Sequence, residues 1–101
     1  MTAGLRHVVL LRWKDDTTPE DIAAIEAALG TLPVAIPELV AYRYGRDAGL
    51  AEGNWDFAIV ADVVSVDDYV TYRDHPAHQA AITERIRPHA AERAAVQLHL
   101  T

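Results

Sequence analysis

The hydrophobic repeat of this chain switches back and forth between two residues and about 3.6, and the order of those switches constrains the fold more than any single motif. From Leu5 to Lys14, the residues Leu5, His7, Val9, Leu11 and Trp13 share one parity, and Arg6, Val8, Leu10, Arg12 and Lys14 share the other. A strand sends alternate side chains to opposite faces, so one face here is apolar apart from His7 and the other is apolar only in its middle. TTPEDIAAIEAALGTLP then carries helical signals. Thr18 suits the N-cap, Pro19 the first helical position, Glu20 and Asp21 the positive end of the helix dipole, and Gly30 and Pro33 the stop. Ile22, Ile25, Ala28 and Leu29 supply the stripe to be buried. LVAYRYGRD returns to a period of two through Val40, Tyr42 and Tyr44, and the glycine-bearing GRDAGLAEGN turns the chain. WDFAIVADV sets Trp55, Phe57, Ile59, Ala61 and Val63 against Asp56, Ala58, Val60 and Asp62.

SVDDYVTYRDHPAHQAAITERIRPHAAER reads as helical in two pieces. Ser65 caps the first, with Asp68 three residues on as an acidic variant of the capping box, and Pro76 starts the second. AAVQLHL closes with Val96, Leu98 and Leu100 on one parity and Ala95, Gln97 and His99 on the other.

The resulting order is βαββαβ, the ferredoxin-like α+β arrangement, built as one domain over residues 1–101 around a four-stranded antiparallel sheet. Right-handed crossovers put both helical segments on one face of that sheet and leave the other bare. If each strand offers about three apolar residues to the bare face, hiding them is worth on the order of 10 kcal/mol before association costs. A homodimer is therefore expected, two sheets packing face to face into a dimeric α+β barrel.

Charge narrows the partners. Fifteen acids against nine bases leave a net charge of −6, and the bases stand singly, so neither nucleic acid nor a membrane surface is an expected partner. No run approaches the roughly 20 apolar residues of a membrane span, and the opening MTAGLRHVVLLRWKDD reads as a strand and not as an export signal. The absence of cysteine rules out a disulfide framework or a thiol nucleophile and suits a reducing, cytoplasmic location.

These residues also carry a resemblance. RHVVLLRWKDDTT, YGRDAG and above all WDFAIVADVVSVDDYVTYRDHPAHQ resemble the stress-responsive α/β-barrel (Dabb) domains over nearly the whole chain. That family is functionally mixed, containing stress-associated proteins and a plant polyketide cyclase that closes an aromatic ring by an aldol step. The resemblance implies that the cyclase's tyrosine and histidine fall on Tyr72 and His78 and its strand-one histidine on His7. Phe57 stands where that cyclase has a histidine and Leu29 where it has a tyrosine, so these two, with Val9 and Leu11, are expected to line an apolar substrate site.

Read from the residues themselves, YRDHPAH admits chemistry or simple helix initiation. Pro76 at a first helical position makes His75 a boundary residue and puts His78 in the first turn, where the helix dipole disfavours a cation. A neutral imidazole there can serve as a base and Tyr72 as a hydroxyl donor. His78, Ile82 and His89 are expected near one inward stripe. The structural alternative makes Tyr72 and His7 satisfied core residues and His78 a packing residue. A metal on His75 and His78 would lack a third ligand fixed by spacing, and none is assigned. Three functions follow as expectations. The first is a cofactor-independent acid–base enzyme acting on a hydrophobic carbonyl compound. The second is a non-catalytic stress or ligand-binding protein, and the third is a cofactorless monooxygenase for aromatic substrates.

Overall fold

The computed structural model describes residues 2–100. Its central strand, β1 (Leu5–Trp13), pairs antiparallel with β3 (Phe57–Val63) on one side and β4 (Ala90–His99) on the other; β2 (Ala41–Arg46) flanks β3, giving the order β2-β3-β1-β4. This is the ferredoxin-like topology the alternating periods imply. The parities also hold. Leu5, His7, Val9 and Leu11 are buried toward the helices, as are Phe57, Ile59, Ala61 and Val63.

Helix α1 (Pro19–Gly30) begins with a complete capping box: Asp21 donates its N–H to Thr18 Oγ1 at 3.1 Å, and Thr18 donates its own to the Asp21 carboxylate at 3.0 Å. Gly30 ends α1, but Pro33 does not simply stop the chain. It sits in the first turn of a short helix, α2 (Leu32–Ala35), whose Leu32, with Ile36 just beyond it, is fully buried. The helical segment after β3 starts at α3 (Val66–Asp74). Only the Ser65 half of the expected box forms there, Asp68 donating its N–H to Ser65 Oγ at 3.1 Å. The chain breaks at His75 and resumes as α4 (Pro76–Ala80), followed by a π-helical segment, Ala81–Ile86.

Two further expectations need correction. The sequence pattern predicts helix through Arg93, whereas β4 starts at Ala90, because Pro88 ends the helix and Trp13 to Leu10 of β1 offer unpaired ladder positions to residues 90–94. The bare face is also less greasy than three apolar residues per strand. Val8 and Leu10 of β1, Ala58 and Val60 of β3, and Ala94, Val96 and Leu98 of β4 share it, by parity and register. Arg6 and Asp62, opposite one another on β1 and β3, form a two-bonded ion pair at 2.8 and 2.9 Å on the same face. The apolar area therefore centres on β1 and β4, where Val96 is 56 % and Leu98 42 % exposed.

Candidate active site

The break at His75–Pro76 creates the local chemistry. In an uninterrupted helix the carbonyl of Arg73 would accept from the N–H of Ala77. That N–H instead bonds His75 Nδ1 at 3.0 Å, and Pro76 has no N–H to offer. The Arg73 carbonyl is left free on the side of the following helix, where His78 Nδ1 meets it at 2.9 Å and the Gln79 side-chain amide at 2.6 Å. A carbonyl only accepts, so His78 Nδ1 must carry a proton. The neutral ring then keeps its lone pair on Nε2. Burial pushes the pKa of His78 below its ordinary value; the charge of Arg93 and neighbouring His75 act in the same sense, against the opposing pull of the Arg73 carbonyl and Asp74.

His78 packs against Tyr72, ring centroids 4.2 Å apart and planes inclined by 34°, and both line a cavity of about 180 Å³ between the sheet and α3, α4 and the π-helical segment. His7 enters from β1, 5.2 Å from the Tyr69 ring and 6.4 Å from Tyr72. The Gln97 amide, opposite His7 on β4, donates to His7 Nδ1 at 2.8 Å, which leaves the His7 proton on Nε2. Burial, with help from Arg93 and His78, drives the pKa of His7 down to about 4, so the ring is neutral at ordinary pH. Burial raises Tyr72 to about 12 despite an opposing influence of the Tyr42 hydroxyl, so Tyr72 keeps its proton and acts as a donor.

The structure thus gathers His7, Tyr72 and His78 around one space, with Val9 and Leu11 in its wall. Phe57 and Leu29, expected beside them, lie outside that wall. Each is 1 % exposed: Phe57 packs at 5.4 Å against Trp13, and Leu29 belongs to the α1 stripe of the core. Apolar side chains in those two places close the core instead of extending the cavity. His89 is corrected too, since β4 begins beside it; its Nδ1 lies 3.8 Å from Asp21, away from the stripe of His78 and Ile82.

Sequence reading missed Tyr42, Tyr69 and Arg93, all in the cavity wall. The inward parity of Tyr42 on its strand was a usable signal. The Tyr42 hydroxyl is buried with no hydrogen-bond partner among the described residues, so although it neighbours the Tyr72 hydroxyl no well-formed bond joins them. Burial raises its pKa, so this group too remains a donor. His75 and His78 both commit Nδ1 locally, and among the described residues no three His, Asp or Glu side chains gather as metal ligands. No described helix is long and apolar enough to cross a membrane.

Comparison with known proteins follows the geometry. The family model described as the stress responsive A/B barrel domain, Dabb, matches residues 5–99. A dimeric ferredoxin-like protein of unknown function from Thermobifida fusca YX is 48 % identical, with a TM-score of 0.91 over 99 % of this chain and 93 % of its own. A dimeric protein of unknown function and ferredoxin-like fold from Bacteroides fragilis NCTC 9343 is 25 % identical, TM-score 0.81, covering 95 % of both chains. The hydroxynitrile lyase of Passiflora edulis shares the fold at 22 % identity, TM-score 0.84, over 96 % of this chain and 93 % of that one. No curated protein matches.

Proposed function

Because the chain belongs to the Dabb family of stress responsive A/B barrel domains, we propose that it is a homodimer whose helix-side cavity binds a small apolar carbonyl compound and moves a proton beside that carbonyl, without a cofactor. The dimer is supported by the apolar β1–β4 patch and by two relatives described as dimeric. The chemistry rests on one observation above others, the bond from His78 Nδ1 to the Arg73 carbonyl, which leaves a neutral imidazole with its basic nitrogen unspent.

In the proposed step His78 Nε2 takes a proton from the carbon next to the carbonyl. The C–H electron pair becomes an enolate, and the negative charge on its oxygen is met by the Tyr72 hydroxyl, with the Tyr42 hydroxyl and His7 Nε2–H as further donors. The enolate carbon then bonds to a second carbonyl carbon, and the imidazolium returns its proton to the new alkoxide. This is an aldol closure of the kind a cyclase performs. Run backwards, base removal of a hydroxyl proton releases a carbonyl compound. That one structural neighbour is a hydroxynitrile lyase, a name that points to carbonyl adducts, agrees with acid–base work on this scaffold.

The non-catalytic stress or binding reading draws on a separate observation. Tyr72 is only 2 % exposed, and 180 Å³ is small beside the roughly 300–1,000 Å³ of pockets for drug-sized ligands. One experiment separates the two: wild type, His78→Ala and Tyr72→Phe are incubated in D₂O with short apolar ketones and aldehydes, and α-deuteration is followed by NMR. Catalysis predicts exchange above buffer that falls about 10²–10⁴-fold in His78→Ala, with the circular dichroism of the variant unchanged. Exchange at the buffer rate in wild type, or equal exchange in all three proteins, leaves the binding reading.

A further inference from the structure

We infer that the ligand of this cavity bears a carboxylate, which Arg93 holds at the mouth while the apolar body lies inside. The inference deepens the proposed function and rests on it for the carbonyl, which together with the carboxylate defines the substrate class as a short apolar oxo-acid.

The β4 register places Arg93 opposite Leu11, on the same side of the sheet as Gln97 and His7 and away from the apolar β1–β4 patch. Arg93 lines the cavity and also an adjoining surface depression that shares Leu11, Gln79, Ile82 and Ile86 with it. It therefore stands where solvent meets the enclosed space. Among the described residues no carboxylate lines either concavity. The other guanidinium in the cavity wall, Arg73, is held by both oxygens of Asp74 at 2.8 and 3.0 Å, whereas Arg93 makes no ion pair among the described residues. In a chain of net charge −6, this is an uncompensated cation at the entrance to a cavity whose other lining is apolar, neutral polar or, at Arg73, ion-paired, and Arg87 of the adjoining depression adds a second guanidinium outside it.

A guanidinium so placed offers a planar pair of donors matched to a carboxylate. The walls behind it, Val9, Ile59 and Ile82 among them, suit a hydrocarbon body, and the volume limits that body to a short one. The field of Arg93 is already felt inside, since its charge helps lower the pKa of both His7 and His78. A bound carboxylate would cancel that field and return both values upward.

The test uses two probes of the same shape, 3-phenylpropanoate and 3-phenylpropanamide, titrated into the full chain while the ring signals of His7 and His78 are followed by NMR. Wild type should bind the carboxylate about tenfold or more tighter than the amide, the scale of a charge-assisted hydrogen bond. Arg93→Gln should lose the preference, Arg93→Lys should keep part of it, and Lys14→Gln, the same charge change at an exposed site, should keep all of it. Equal affinities in wild type, binding of neither probe, or a preference that survives Arg93→Gln would overturn the inference. Failure of the catalytic reading is separable. A carboxylate preference in wild type without α-deuteration removes the enzyme and leaves the anion site, and α-deuteration without a preference does the reverse.

Discussion

Acid should unfold this protein partly through a single histidine. His7 is 5 % exposed, and burial, assisted by Arg93 and His78, takes its pKa from 6.5 to about 4. In the unfolded chain the ring keeps its ordinary value. Between about pH 6.5 and 4 the unfolded state therefore binds a proton that the folded state refuses, and stability falls as pH falls through that window. At 1.36 kcal/mol for each tenfold change in proton affinity, the gap from 6.5 to about 4 is worth roughly 3 kcal/mol. That is a large share of the ~5–15 kcal/mol typical of a folded domain. His7→Gln isolates the effect, because glutamine stays neutral at every pH and can still meet the Gln97 amide. Urea unfolding of both proteins, at one fixed protein concentration and at pH values from about 7 to 4.5, reads the difference. Wild type should lose roughly 2–3 kcal/mol more than the variant over that range. The carboxylates contribute to both proteins alike and drop out of the comparison, while the charge that His78 gains in acid is part of what depresses His7. Parallel curves for the two proteins would mean that His7 is charged or solvated in the fold, and the account of the cavity as a neutral, desolvated space would fail with it.

Other consequences can be checked separately. Tyr42→Phe removes a buried hydroxyl that has no partner among the described residues, so stability should hold or rise by up to about 1 kcal/mol while the affinity for a carbonyl ligand drops, the two being read by thermal unfolding and NMR titration. Leu10→Asp or Val96→Asp places a charge in the apolar patch of the bare sheet face and should convert the dimer to monomer by sedimentation velocity; a dimer that persists in both variants would assign the interface to another surface.

What the amino-acid order determined by itself was strand parity, the helix caps and the helix break, all of which depend on near neighbours. Strand parity told which of Leu5, His7, Val9 and Leu11 turn inward, because alternation is a property of the extended backbone. The caps at Thr18 and Ser65, and the break at His75–Pro76, follow from side-chain oxygens and a missing N–H, both local chemistry. The fate of the freed carbonyl needed the folded chain. Only there does the Arg73 carbonyl meet the His78 ring and thereby set its tautomer. Pairing across the sheet decided the remainder. Residues 90–93 read as the tail of a helix until β1 supplies their ladder partners, and that pairing is what turns Arg93 toward the cavity and Gln97 toward His7. Phe57 and Leu29 are apolar in sequence whether they line a pocket or seal a core, and packing against Trp13 and the α1 stripe made them core. Local periodicity states which way a side chain faces; what it faces is chosen by segments far away in the chain, through burial and hydrogen bonds that no short window contains.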